Sequence, residues 1–119
     1  MKGLYAILDE NNFNFKNIEK DVKQMIELKI KIFQVRVKTS FSKEIIKAIK
    51  NLKSLCKQNG CLLILNDNIS LAKELNLDGI HIGSTDIDII TARDILGKKK
   101  IIGVSCYNSF SLALSAELN

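Results

Sequence analysis

Gln34, Arg36 and Lys38 alternate with Val35 and Val37. In an extended segment a period of two puts all three on one face. A guanidinium and an ammonium pointing the same way make a clamp for phosphate oxygens: the planar fork holds two oxygens and the ammonium adds a point charge. An edge strand with a solvated charged face has the same spelling. The preceding Ile30-Lys31-Ile32-Phe33 runs into a core, which favours the clamp. Two carboxylates, Asp67 and Asp86, end apolar runs further along the chain. Beside a cationic clamp such a pair suits Mg²⁺, which takes few protein oxygens and fills its shell with water and phosphate. Both aspartates also precede helical patterns, where an aspartate serves as a cap, and spacing alone leaves these two readings level. His81 is the sole histidine. On a buried strand it reads as a hydrogen-bonded core residue rather than a catalyst.

These residues need elements to position them, and the apolar pattern supplies a repeated one. Short apolar runs at Gly3 to Leu8, Ile30 to Val35, Cys61 to Leu65, Gly79 to Ile82 and Ile101 to Val104 predict five strands. Between them, apolar residues recur at helical spacing. Ile18, Val22, Met25 and Ile26 mark a first helix, and Ile45, Ile46, Ile49, Leu52 and Leu55-Cys56 a second, longer one. Leu71, Ala72 and Leu75 mark a third, and Ile89, Ile90, Ala92 and Leu96 a fourth. Phe110, Leu112, Ala113, Ala116 and Leu118 begin a fifth. Gly60 stands where a helix C′ glycine belongs, and Gly97 stops the fourth helix. Strict alternation of strand and helix predicts an α/β fold with a parallel sheet and right-handed crossovers. A doubly wound open sheet and a (β/α)₈ barrel both fit, and length alone favours the open sheet. Asp9-Glu10-Asn11-Asn12 at the first turn carries no glycine fingerprint, which argues against a nucleotide-binding version. The polar residues fall at the C-terminal ends of the strands: Gln34 to Lys38, Asn66-Asp67, His81 to Asp86, and Ser105. That edge is where parallel α/β folds build their sites.

Composition narrows the class. The chain has 119 residues, 46% apolar and 26% charged, the balance of a single globular domain. No apolar run approaches the ~18 residues of a membrane span. The N-terminal apolar run is too short for a signal peptide, so a cytoplasmic location is expected. Cys56, Cys61 and Cys106 form no C-x-x-C pair, and one histidine cannot complete a zinc site with them. The net charge of +5 is spread over helix faces and the loop Lys98-Lys99-Lys100, without a basic stripe or interleaved aromatics. Nucleic acid is therefore not expected as a partner, whereas a modest positive field suits a phosphorylated metabolite.

Taken in order, the motifs resemble the thiamine-phosphate synthase family. The resemblance runs from Leu4-Tyr5 through Gln34-Val35-Arg36-Val37-Lys38, Leu55-Cys56 and Gly60. It continues through Ile64-Leu65-Asn66-Asp67, Asp78-Gly79-Ile80-His81-Ile82-Gly83, Asp86, Ala92-Arg93 and Leu96-Gly97, and ends on Ile101-Ile102-Gly103-Val104-Ser105. It implies a (β/α)₈ barrel, of which this chain carries about five βα units as one partial domain over residues 1–119. It further implies a transferase that joins a pyrimidine diphosphate, the 4-amino-5-hydroxymethyl-2-methylpyrimidine ester, to a thiazole phosphate. The products are thiamine phosphate and pyrophosphate. In the family the pyrophosphate leaves first and the thiazole nitrogen captures the resulting cation, so leaving-group stabilisation outweighs base catalysis. By the same resemblance Asp67 and Asp86 are magnesium ligands. Arg36, Lys38, Asn66 and Ser105 contact pyrophosphate and substrate, with Arg36, Lys38 and Ser105 as the catalytic set. Gln34 faces the pyrimidine.

Two departures accompany the resemblance. Ser84-Thr85 stand where the family commonly has a glutamine and an acidic residue. The family also runs to roughly 200 residues or more, a barrel's length, so the chain is expected to lack three strands and the loops that hold the thiazole phosphate. Two other readings follow. One is a thiazole tautomerase-like isomerase of the same superfamily, which does not need the aspartates or the Arg/Lys clamp. The other is an inactive remnant whose open sheet edges would favour self-association.

Overall fold

The computed structural model describes residues 4–83 and 87–104. The chain divides into two compact units, residues 1–63 and 64–119, with the boundary inside a strand. The first unit runs β1 (Tyr5–Asp9), a 3₁₀ turn (Phe15–Asn17), α1 (Ile18–Glu27), β2 (Ile32–Arg36) and α2 (Lys43–Gln58), and enters β3 (Leu62–Asn66). The second completes β3 and continues through α3 (Ile69–Glu74), β4 (Gly79–Ile82), α4 (Ile89–Leu96) and β5 (Ile101–Val104). The predicted fifth helix lies outside the described residues, as do Cys106 and Ser105. Among the described residues no helix is long and apolar enough to cross a membrane.

Local chemistry accounts for the helix ends. The Ser42 hydroxyl accepts the Ile45 N–H at 3.2 Å and starts α2. At the other end Gly60 takes φ +67, Cys61 N–H reaches Cys56 O at 2.9 Å and Gly60 N–H reaches Lys57 O at 3.5 Å. That pair of bonds is the Schellman closure, so the glycine is a C′ residue as its position predicts. Asp88 caps α4 through the Thr91 N–H at 2.9 Å, and Gly97 at φ +89 ends it.

In the first unit β1 and β2 pair in parallel, with Tyr5 opposite Ile32, Ile7 opposite Gln34 and Asp9 opposite Arg36. Leu8, Phe33 and Val35 are fully buried, as are Val22, Ile49 and Leu52 from the two helices, which pack on each other. In the second unit β3, β4 and β5 pair in parallel, with Asn66 opposite His81 and His81 opposite Gly103. Ile80 and Ile82 of β4 form a core with Ile89 and Ala92 of α4, and α4 packs on α3.

The strands form one five-stranded sheet in the order β1-β2-β3-β4-β5. A doubly wound sheet reverses its order to place helices on both faces. The sequential order observed is the order of strands in a barrel. The open-sheet alternative is thereby set aside. The first three strands begin and end one or two residues later than their apolar runs. Apolar pattern ends a strand at its last hydrophobic side chain, whereas the hydrogen-bonded ladder continues through Asp9, Arg36 and Asn66.

Candidate functional site at the strand ends

In the first unit the site is built on the parallel register of β1 and β2. Pairing places Asp9 directly opposite Arg36, on the face that also carries Gln34. Arg36 Nη1 lies 2.6 Å from Asp9 Oδ2, and the side chains are 38% and 14% exposed respectively. The second carboxylate oxygen of Asp9 accepts the Asn11 N–H at 2.9 Å. That backbone bond, followed by the Arg36 bond, holds the Asp9 carboxyl below its ordinary range. Gln34 is 3% exposed, and its Nε2 donates to the Tyr5 hydroxyl at 2.6 Å. Partial burial pushes the Tyr5 phenol up, against the Gln34 bond that pulls it down.

Lys38 stands beyond the end of β2, on an exposed segment after buried Val37. Burial alternates from Val35 to Lys38, whereas Gln34 is as buried as Val35, and only Gln34 and Arg36 belong to the strand. Glu10 organises the segment. Its Oε1 accepts the Lys38 and Thr39 N–H groups at 2.8 and 3.0 Å, and its Oε2 accepts the Thr39 hydroxyl at 2.9 Å. These bonds, the Lys38 N–H first, lower the Glu10 carboxyl below its ordinary range. The reading of the sequence missed Asp9 and Glu10, which it used only to exclude a glycine-rich turn. The signal was present: acidic residues at the end of β1 and basic residues at the end of β2.

In the second unit the end of β3 carries Asn66 and Asp67. Asn66 is 5% exposed, and its Nδ2 has no hydrogen-bond partner among the described residues. Asp67 adopts φ +68, a left-handed conformation that aspartate tolerates better than most residues. Its N–H donates to His81 O at 2.8 Å, tying the turn to β4. The cap of α3 is Asn68, whose Oδ1 accepts the Leu71 N–H at 3.0 Å. Asp67 is therefore not the capping residue. Asp88 plays that part for α4, through the Thr91 N–H and hydroxyl. His81 lies on the same face as Asn66, and its ring occupies the space above Gly103: a Cβ on that glycine would meet His81 Nδ1 at 2.8 Å.

Asp86 and Ser105, predicted as a metal ligand and a substrate contact, lie outside the described residues. Among the described residues no three His, Cys, Asp or Glu side chains cluster as a metal cage. A groove of about 870 Å³ on the first unit, lined by Glu10, Phe13, Phe15, Ser42, Lys47 and Asn51 among others, contains none of the predicted residues.

Comparison with known proteins adds to this geometry. A family model described as thiamine monophosphate synthase matches residues 4–119. The thiamine-phosphate synthase of Nitrosococcus oceani is 36% identical over 117 residues, covering 98% of this chain and 54% of that protein. The thiamine-phosphate synthase of Pelagibacter ubique is 48% identical over 90 residues, covering 74% and 42%. Among solved structures, the thiamine phosphate pyrophosphorylase from Pyrococcus furiosus superposes with a TM-score of 0.79 at 26% identity, over 96% of this chain and 55% of that one. The chain spans about half the length of the curated relatives it matches.

Proposed function

Since the chain belongs to the thiamine monophosphate synthase family, we propose that it is the pyrophosphate-binding portion of a cytoplasmic transferase. That enzyme would couple 4-amino-5-hydroxymethyl-2-methylpyrimidine diphosphate to a thiazole phosphate. The observation that carries this reading is the buried Nδ2 of Asn66, a donor without an acceptor among the described residues. A buried unsatisfied donor costs about 1–3 kcal/mol, and it persists readily where a ligand supplies the acceptor. A pyrophosphate oxygen is an acceptor of the right chemistry.

Each residue then has a part. The Arg36 fork and the Lys38 ammonium take oxygens of the leaving pyrophosphate. Asn66 donates to the same group, and Ser105 contacts substrate. Gln34, held by Tyr5, presents its amide towards the pyrimidine. The donor set also fits Mg²⁺. Asn68 caps α3, and Mg²⁺ asks for only one or two carboxylates. Asp67 and Asp86 would hold the ion. When bound, it supplies charge neutralisation for the departing pyrophosphate. Pre-set donors and cations favour charge that develops on the leaving group, and such a site needs no nucleophile of its own.

The test is calorimetric titration of the protein with inorganic pyrophosphate, with and without magnesium. Magnesium-dependent binding that Asp67→Ala removes is expected. Binding indifferent to magnesium and to Asp67→Ala would defeat the reading.

A further inference from the structure

Both acidic side chains at the end of β1 are committed to the segment that carries the clamp. Asp9 meets the Arg36 side chain. Glu10 meets the main chain of Lys38 and both the main chain and the hydroxyl of Thr39. From these contacts we infer that Asp9 and Glu10 are positioning residues for pyrophosphate: Asp9 fixes the orientation of the Arg36 guanidinium, and Glu10 fixes the backbone from which Lys38 projects. The inference rests on the reading of Arg36 and Lys38 as a pyrophosphate clamp.

The geometry separates the two roles. Arg36 and Asp9 are register partners, so their side chains share a face without any bend in the chain. Asp9 is held from its other side by the Asn11 N–H at 2.9 Å. A carboxylate fixed at one oxygen can orient whatever the other oxygen holds. The bond engages Nη1 of Arg36. A guanidinium has five donors in a rigid plane, and fixing one edge aims the opposite edge. An arginine left to itself at a strand end samples many rotamers, and selecting one of them is a cost of binding. Glu10 works differently. It bridges from β1 to the segment after β2, and Glu10 N–H also donates to Arg36 O at 3.1 Å. The β1 end is thus laced to the clamp segment at three residues, Arg36, Lys38 and Thr39.

A carboxylate beside an anion site also repels the anion, and that role predicts the opposite sign. The Asp9 charge is already paired with the Arg36 guanidinium at 2.6 Å, which offsets most of that repulsion. Positioning should therefore win.

The experiment is magnesium pyrophosphate titrated calorimetrically into the 119-residue protein and into Asp9→Ala, Asp9→Asn, Glu10→Ala, Arg36→Ala and the two double variants that include Arg36→Ala. Asp9→Ala is expected to bind about tenfold more weakly, the scale of one charge-assisted bond. In the Arg36→Ala background the same substitution should have no further effect, because Asp9 acts through that guanidinium. Glu10→Ala should still weaken binding there, because it acts through Lys38. Asp9→Asn keeps the shape of the side chain, and a thermal melt of each variant reports its folding. Unchanged or tighter binding by Asp9→Ala overturns the inference. So does an equal loss with and without Arg36, which would mean a general structural role. If Arg36→Ala leaves affinity unaltered, or if the wild type takes up no pyrophosphate, the clamp reading itself falls and this inference with it.

Discussion

At the scale of single residues, the shape of a donor matters as much as its charge. Arg36 uses one nitrogen for Asp9, and a lysine there would keep the charge while losing the fork. Arg36→Lys should therefore lower coupling activity in the full-length enzyme by about tenfold or more, near the ~1.4 kcal/mol of one lost charge-assisted bond. Activity close to wild type would show that only net charge counts. Asn66 offers a test of the opposite kind. Its buried Nδ2 lacks a partner among the described residues, so replacing the side chain by an apolar one of similar size removes the penalty of that donor. Asn66→Leu is expected to melt at or above the wild-type temperature while losing pyrophosphate affinity. A drop in stability of more than about 1 kcal/mol would mean that the amide serves the fold. That Arg36 ends β2 two residues after Gln34, and that Asn66 ends β3, were legible in the sequence, because alternation and residue type are local. The Arg36–Asp9 pair was not, because it joins residues 27 apart in the chain.

Elements set the tolerance of the strands around the site. A Cβ on Gly79 would collide with the Ile101 backbone of the neighbouring strand, whereas the atoms nearest one on Gly103 belong to the His81 ring, the first at 2.8 Å. Backbone in a parallel ladder cannot give way without breaking its hydrogen bonds, but a ring can turn. Gly79→Ala should cost more than Gly103→Ala, with overpacking of about 1–3 kcal/mol as the lower bound for the former. Chemical denaturation of the two variants will rank them, and the reverse order would contradict the close approach of β4 and β5. The β1 end has a pH signature. Asp9 and Glu10 titrate below their ordinary values of 3.8 and 4.5. A lowered folded-state value means that the unfolded chain takes up protons first as pH falls. Their stabilisation is therefore complete above about pH 5 and is lost as pH drops through the folded-state values. Melting temperatures of the wild type should decline below that point more steeply than those of Asp9→Asn/Glu10→Gln. Parallel acid limbs in the two proteins would place the stabilisation elsewhere.

For the molecule as a whole, the chain spans about half the length of its curated relatives, and coupling requires two substrates held in attack geometry. Such orientation is worth roughly 7–11 kcal/mol in favourable cases, and on the proposed reading the site residues here would address only one substrate's pyrophosphate. We expect the 119 residues alone to bind magnesium pyrophosphate weakly and to form no thiamine phosphate above a no-enzyme control; product formation would mean that one half suffices. The alternation of strand and helix was determined by the sequence itself, as were the glycine closure at Gly60 and the placing of polar residues at strand ends. Each depends on periodicity or turn chemistry within a few residues. Between an open sheet and a barrel-type order, both compatible with that alternation, the tertiary structure decided. It also decided that Asn68 rather than Asp67 caps α3, and that Asp9 rather than solvent faces Arg36. The reason is register: which side chains lie opposite each other depends on the pairing of whole strands, and no short window of sequence contains both partners.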